Sequence, residues 1–232
     1  MQTKKSQKKS SSKYKQWIKK AWNFIWHSDS VWSWLLNIAL AFLFIKFIFY
    51  PGIGLLLNTS YPVVAVVLGS MEHMQSARDG KTIPEECGNT YENTKYFVSL
   101  DYYWQECGEW YEKNNITKEQ FSKFPFRNGF NKGDIIVIYG ENPKNLKIGD
   151  VIVFYSDQRP EPIIHRIVEI NKDNSNYIFN TKGDHNKIAD PRIDINIHQD
   201  KIIGKGVFRI PLLGWIKIWF MNIGEFIIGV IN

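Results

Sequence analysis

Acidic residues are nearly missing from one end of this chain. The first 30 residues hold eight lysines against a single acid, Asp29, and leave 21 basic and 22 acidic residues for the rest. The formal charge of +6 is therefore a property of the N-terminal tail, and the body is close to neutral. Cysteine is scarce as well. Cys87 and Cys107 have no third or fourth ligand at a suitable spacing, and the spacings of His73, His185 and His198 match no zinc pattern, so no metal or other cofactor is expected. Beyond Lys132 no helix-length segment separates the strand-like runs, which disfavours a parallel α/β sheet.

Charge is almost absent a second time, from VWSWLLNIALAFLFIKFIFY (Val31–Tyr50), where Lys46 is the one charged residue. Twenty such residues match the ~30 Å apolar core of a bilayer. The run is too long for a signal-peptide core and no small-residue cleavage site follows it, so a membrane anchor over residues 31–57 is expected. The lysine tail then places the N-terminus in the cytoplasm and everything beyond the anchor outside. Given that anchor, the tail reads as a topology signal rather than a nucleic-acid grip, and no nucleic-acid partner is expected. Within residues 1–30, YKQWIKKAWNFIWH interleaves lysines with Trp17, Trp22 and Trp26, the composition of a helix lying at the lipid headgroups. PGIGLLLNTSYP is expected to break the helix and carry the chain off the membrane.

The 232 residues suffice for one medium domain plus attachments. GDIIVIYG, GDVIVFY, PIIHRIVEI, NYIFNTKGD and KIIGKGVF are β-prone runs bounded by turn residues, so residues 61–211 are expected to form a mainly β, antiparallel domain. The two Gly-Asp pairs, Gly133-Asp134 and Gly149-Asp150, read as turn chemistry. Residues 76–129 form an irregular, polar and aromatic insertion with one helix candidate, opened by Thr117 as N-cap with Gln120 three residues on. An oxidising exterior would permit a Cys87–Cys107 disulfide closing a loop of about 20 residues, although sequence does not show that the two meet. Asn58 and Asn115 each open a glycosylation sequon. The apolar residues 212–232 either span the membrane again or lie along its surface.

Nucleophilic catalysis needs a hydroxyl, a base and a group that orients the base. VVAVVLGSMEHM reads as a strand ending on Gly-Ser, which would expose the Ser70 hydroxyl, though a Gly-Ser turn explains the same dipeptide. His165 shares a strand face with Ile163 and Ile167, opposite Ile164 and Arg166, and is either a core histidine or a general base. TKGDHNKIAD supplies Asp184 and Asp190, either of which could accept the second ring N–H of His165. No lysine occupies a comparable strand position, which disfavours a Ser-Lys dyad.

In their order, VVAVVLGSMEHM, NGFNKGDIIVIYG, IGDVIVFY, IIHRIVEI and TKGDHNKIAD resemble the motif boxes of type I signal peptidases. The likeness covers roughly residues 61–211 and lies with the archaeal and endoplasmic-reticulum branch, in which histidine replaces the bacterial lysine. The resemblance implies a membrane-bound serine endopeptidase that removes signal peptides from exported preproteins. Ser70 would be the nucleophile, His165 the general base, Asp190 the triad acid and Asp184 a supporting residue. It implies no cofactor; partners would be signal-peptide-bearing preproteins, the lipid membrane and the translocation machinery. Leu68 departs from the pattern, because a small polar residue commonly stands there and assists the oxyanion. Oxyanion stabilisation would then fall to backbone amides such as that of Ser70, and loss of one donor costs about 10²–10³ in rate. A catalytically silent, anchored paralogue that binds exported peptides is the alternative reading.

Overall fold

The computed structural model describes residues 3–73, 85–91, 99–174, 176–216 and 218–219. The chain divides into two compact units, Met1–Ile53 and Gly54–Asn232. In the first, helix α1 (Thr3–His27) contains the whole expected Trp/Lys helix, with Trp17, Trp22 and Trp26 exposed. Ser30 caps helix α2 (Val31–Phe44) by accepting from the Trp32 amide, and Asn37 Nδ2 donates to the Ile25 carbonyl of α1 at 2.8 Å.

Pro51 and Gly52 do not break this helix. A π-turn (Ile45–Phe49) follows α2 and leads directly into α3 (Tyr50–Leu56). Proline lacks an N–H and its ring collides with the carbonyl four residues back. The π-turn, in which the Tyr50 amide reaches Ile45, shifts the bonding register just ahead of the proline. Val31–Leu56 is thus a 26-residue helix long and apolar enough to cross a membrane, and none of its most apolar window is buried.

The second unit is built on an antiparallel sheet. Its strands are β1 (Val63–Ala65), β4 (Ile135–Tyr139), β5 (Val151–Ser156), β6 (Arg159–Asp173), β7 (Asn176–Lys182), β8 (Ile197–His198) and β9 (Ile202–Ile210). They lie in the order β1-β4-β9-β5-β6-β7-β8. A separate hairpin, β2 (Glu85–Glu86) with β3 (Asn89–Thr90), belongs to the insertion. The mainly β fold is as expected, but the run VVAVVLG is strand only over its first three residues. The chain then turns, and Ser70 is buried at 8 % exposure rather than presented openly.

Both Gly-Asp pairs close the same turn. Gly133 and Gly149 take φ of 90° and 94°, conformations glycine adopts without strain. Asp134 and Asp150 each accept, through Oδ2, the amide of the residue three earlier, Asn131 and Lys147, at 2.7 and 3.0 Å. Alternation then sends Val151, Val153 and Ile164 into one core with Val66, Met71 and Phe130, and Ile152, Phe154, Ile163 and Ile167 into the other.

The insertion is more regular than expected. Thr117 and Gln120 form the anticipated capping box on α5 (Lys118–Ser122). Before it, Ser99 caps a further helix, α4 (Leu100–Lys113), whose Tyr103, Trp104, Cys107 and Tyr111 are buried at helical spacing against Phe121 and Val168. Cys87 and Cys107 are joined by a disulfide, tying the β2–β3 hairpin to α4. Most of the expected C-terminal membrane segment lies outside the described residues. A bridge closing a loop of this length is worth about 3 kcal/mol in chain entropy. Reduction of the full chain in detergent should therefore lower its denaturation free energy by about that amount, read from the denaturant midpoint.

Candidate active site

Three segments meet around the loop that follows β7. The first is the turn carrying Ser70. Its carbonyl accepts the His185 amide at 2.9 Å, and the Met71 carbonyl accepts the Phe130 amide at 3.1 Å. The second is β6, where His165 pairs in register with Ile152. The third is the loop itself, and its hinge is Gly183. A Cβ at that position would lie 2.8 Å from both His165 Nε2 and the Ser70 carbonyl oxygen. A glycine is required for the imidazole and the serine turn to approach this point together.

The other imidazole nitrogen meets a carboxylate. His165 Nδ1 is 2.6 Å from Asp194 Oδ1. A carboxylate only accepts, so Nδ1 carries a proton towards Asp194, and Nε2 is turned towards Gly183 and the Ser70 backbone. Asp194 is fully buried. Its Oδ1 also takes the Thr181 hydroxyl at 2.7 Å, and its Oδ2 takes the Asp190 amide at 2.8 Å. Burial alone would raise this carboxyl, but the His165 charge and these donors hold it below the ordinary carboxylate value.

The expected acid, Asp190, does not hold His165. Its side chain pairs with Arg192 near the surface, and its contribution to the site is the backbone amide that steadies Asp194. Pro191 follows it, and the amides of Ile193 and Asp194 fold back onto its carbonyl, which swings Asp194 beneath β7. The Thr181 amide donates to the Asp194 carbonyl at 2.8 Å and closes the loop. Neither Asp194 nor Thr181 stands out in sequence, because a tertiary closure of the loop brings them to His165; the compact DPRID turn is the only local hint.

Asp184 lies at the centre of a separate buried network. Arg166 Nε lies 2.9 Å from its Oδ1 and Nη2 lies 2.6 Å from its Oδ2. Tyr111 donates to Oδ1 and His73 Nε2 sits 2.9 Å from Oδ2. Burial would raise the Asp184 pKa, but the Arg166 charge and the bonds from His73 and Arg166 hold it far below the usual carboxylate range. Arg166 spends its remaining donors on the carbonyls of Pro125, Gly149 and Phe126, so all five N–H groups of this buried guanidinium are used. The Phe121 ring lies 4.9 Å from its Cζ.

Lysine does occupy a strand position here, contrary to expectation. Lys182 ends β7 opposite Arg166, fully buried, and burial pushes its pKa down to about 8. Its ammonium donates to the carbonyls of Gly183 and Asp184 at 3.1 and 3.2 Å and lies over the Tyr111 ring at 4.7 Å. Its described bonds therefore go to backbone and rings. Leu68 is 48 % exposed and offers no donor.

The network generates a stability prediction. Arg166→Met leaves Asp184 as a buried charge without its main partner, and such losses cost about 3–5 kcal/mol. Denaturant unfolding of that variant should show a loss of this size. Stability should also fall with acid in two stages. His73, whose pKa burial lowers from 6.5 against the pull of Asp184, stays neutral when the unfolded chain takes up a proton, so stability starts to fall below pH 6.5. Asp184 and Asp194, both lowered from 3.8, add a second loss as pH falls through that value towards their folded pKa values. Unfolding free energies that stay flat from pH 7 to pH 3 would overturn this account.

No protein-family model matches the chain. The signal peptidase complex catalytic subunit SEC11 of Lachancea thermotolerans is 35 % identical over 97 residues, 39 % of this chain and 57 % of the yeast protein. The protein of the same name from Plasmodium falciparum is 33 % identical over 98 residues, 39 % of this chain and 51 % of its own length. Human signal peptidase complex catalytic subunit SEC11C is 27 % identical over 94 residues, 38 % and 49 % of the two chains. The chain spans about half the length of the curated relatives it matches. Over that stretch it is a homologue of the signal peptidase complex catalytic subunits, the type I signal peptidases of the endoplasmic-reticulum type.

Proposed function

We propose that the chain is a membrane-anchored serine endopeptidase that removes N-terminal signal peptides from exported preproteins. The observation that carries this reading is the His165–Asp194 bond at 2.6 Å, with the free ring nitrogen turned towards the Ser70 backbone. Ser70 Oγ attacks the scissile carbonyl carbon while His165 Nε2 takes its proton. Asp194 orients the ring and stabilises the imidazolium. The tetrahedral intermediate then expels the amine of the mature protein, which leaves with the proton held by His165. Water, activated by the same nitrogen, hydrolyses the Ser70 ester and releases the signal peptide.

The apolar helix Val31–Leu56 supports an anchor, and the lysine tail supports a cytoplasmic N-terminus with the catalytic unit outside, at the cell membrane. That topology would present the site on the side where exported precursors emerge. The relatives are named as subunits of a complex, and by analogy the partners here would be preproteins, the bilayer and the translocation machinery. The two units and the segments at residues 1–30, 31–57, 61–211 and 212–232 would then divide into tail, anchor, catalytic domain and C-terminal membrane segment.

The decisive assay is cleavage of a signal-peptide-bearing precursor by the full chain in liposomes. Ser70→Ala and His165→Ala should abolish cleavage, and Asp194→Asn should lower kcat by about 10⁴, the scale known for loss of a triad carboxylate. Asp190→Asn keeps its backbone amide and should stay within about tenfold of the parent. Full cleavage by the Ser70 variant would end the reading. A folded parent that binds precursors and never cuts them would favour the silent, peptide-binding alternative.

A further inference from the structure

His73 stands three residues after Ser70 and has no place in the triad, yet it is one of the most tightly held side chains near the site. Its ring is buried and stacked on Tyr103 of α4, with centroids 3.7 Å apart and planes within 3°. Its Nε2 lies 2.9 Å from Asp184 Oδ2, an oxygen that can only accept, so this nitrogen carries the proton. The chain between Ser70 and His73 is bound to the same loop through backbone and side-chain atoms. His185 donates its amide to the Ser70 carbonyl, the Asp184 amide faces the Met71 sulfur at 3.4 Å, and His185 Nδ1 faces the Glu72 carbonyl at 3.2 Å.

Tyr103 completes the arrangement. Its hydroxyl donates to the Asp184 carbonyl at 2.9 Å, so one residue of α4 holds both the histidine ring and the loop beneath it. The disulfide ties α4 to Cys87, whose amide donates to the His185 carbonyl at 3.0 Å. The insertion therefore reaches the serine turn by two routes, through His185 and through His73.

We propose that His73 is a positioning residue for Ser70, fastening the far end of the nucleophile's turn to Asp184 while Tyr103 fixes the plane of its ring. The proposal rests on the peptidase reading given above. Asp184 does not depend on His73 for its charge balance, because Arg166 meets both of its oxygens and Tyr111 meets one. Loss of the histidine bond thus frees the turn without dismantling the buried ion pair. Displacement of reacting groups by about 1 Å can cost about 10²-fold in rate.

Two variants of the full chain in detergent separate the bond from the packing. His73→Phe keeps a stacked ring and loses the donor; His73→Gln places an amide donor near the position of Nε2. The phenylalanine variant should lose about 10–100-fold in kcat with KM within about twofold, and the glutamine variant should recover most of that loss. Hydrogen exchange at the His185 and Phe130 amides, which hold the Ser70 and Met71 carbonyls, should quicken in His73→Phe and not in His73→Gln. Equal kcat losses in both variants, or parent-like kcat and exchange in His73→Phe, would overturn the proposal. Should the parent cleave no precursor, the enzymatic reading fails separately and the exchange rates still decide whether His73 ties the turn.

Discussion

The ion pair between Arg166 and Asp184 is the interaction on which the second unit turns. Both side chains are fully buried. Each charge would be costly to take from water alone, and each is tolerated because the other is present and every remaining donor finds an oxygen. The pair does more than neutralise itself. Arg166 reaches carbonyls at Pro125, Phe126 and Gly149, joining the end of the insertion to the turn before β5. Asp184 gathers Tyr111, Tyr103 and His73. The pair thus links the sheet, the helical insertion and the serine turn. No hydrophobic contact could impose the same angular precision on three such segments.

Strand alternation explains how this scaffold and the candidate triad coexist. His165 and Arg166 are neighbours on β6, so their side chains leave opposite faces of the sheet. One carries the imidazole proposed for proton transfer, beside Ile163 and Ile167; the other carries the structural charge, beside Phe121 and Phe124. The same alternation recurs at the end of β7, where Thr181 serves Asp194 and Lys182 serves the aromatic side. Two adjacent antiparallel strands therefore deliver four buried polar groups, two to each face. The loop from Gly183 to Asp194 returns carboxylates to both.

Much of this organisation is legible in sequence where the governing interactions are local. The β-prone runs between Gly-Asp turns emerge as strands because turn closure is made within four residues, as at Asn131–Asp134. The face of His165 follows from its neighbours alone. The helix α4 is missed in sequence: Leu100, Tyr103, Trp104, Cys107 and Tyr111 follow a helical period, but the density of aromatics and the glycine obscure it. What sequence does not show is closure across distance. Asp190 and Asp194 lie four residues apart in one turn, and the closure of that turn together with the bonds between Thr181 and Asp194 decides which carboxylate lies under the imidazole. Lys182 and Arg166 likewise read as ordinary strand charges until the insertion covers them.

The composition of this core bears on why it is built so. Glu72, His73, His165, Arg166, Thr181, Lys182, Asp184, His185 and Asp194 are all buried around one loop. Apolar residues of similar volume would commonly be as stable or more so, since buried ion pairs recover their desolvation cost only with complete bonding. Such a network is costly wherever it is incomplete, and it therefore admits few alternative arrangements. That property matters little for a domain that merely folds. It matters greatly for one that holds Ser70 on a short turn outside the regular sheet, by backbone bonds to a loop that contains a mandatory glycine. Rigidity that β-structure cannot supply to Ser70 is supplied by charge, and the insertion is the element that seals that charge from water.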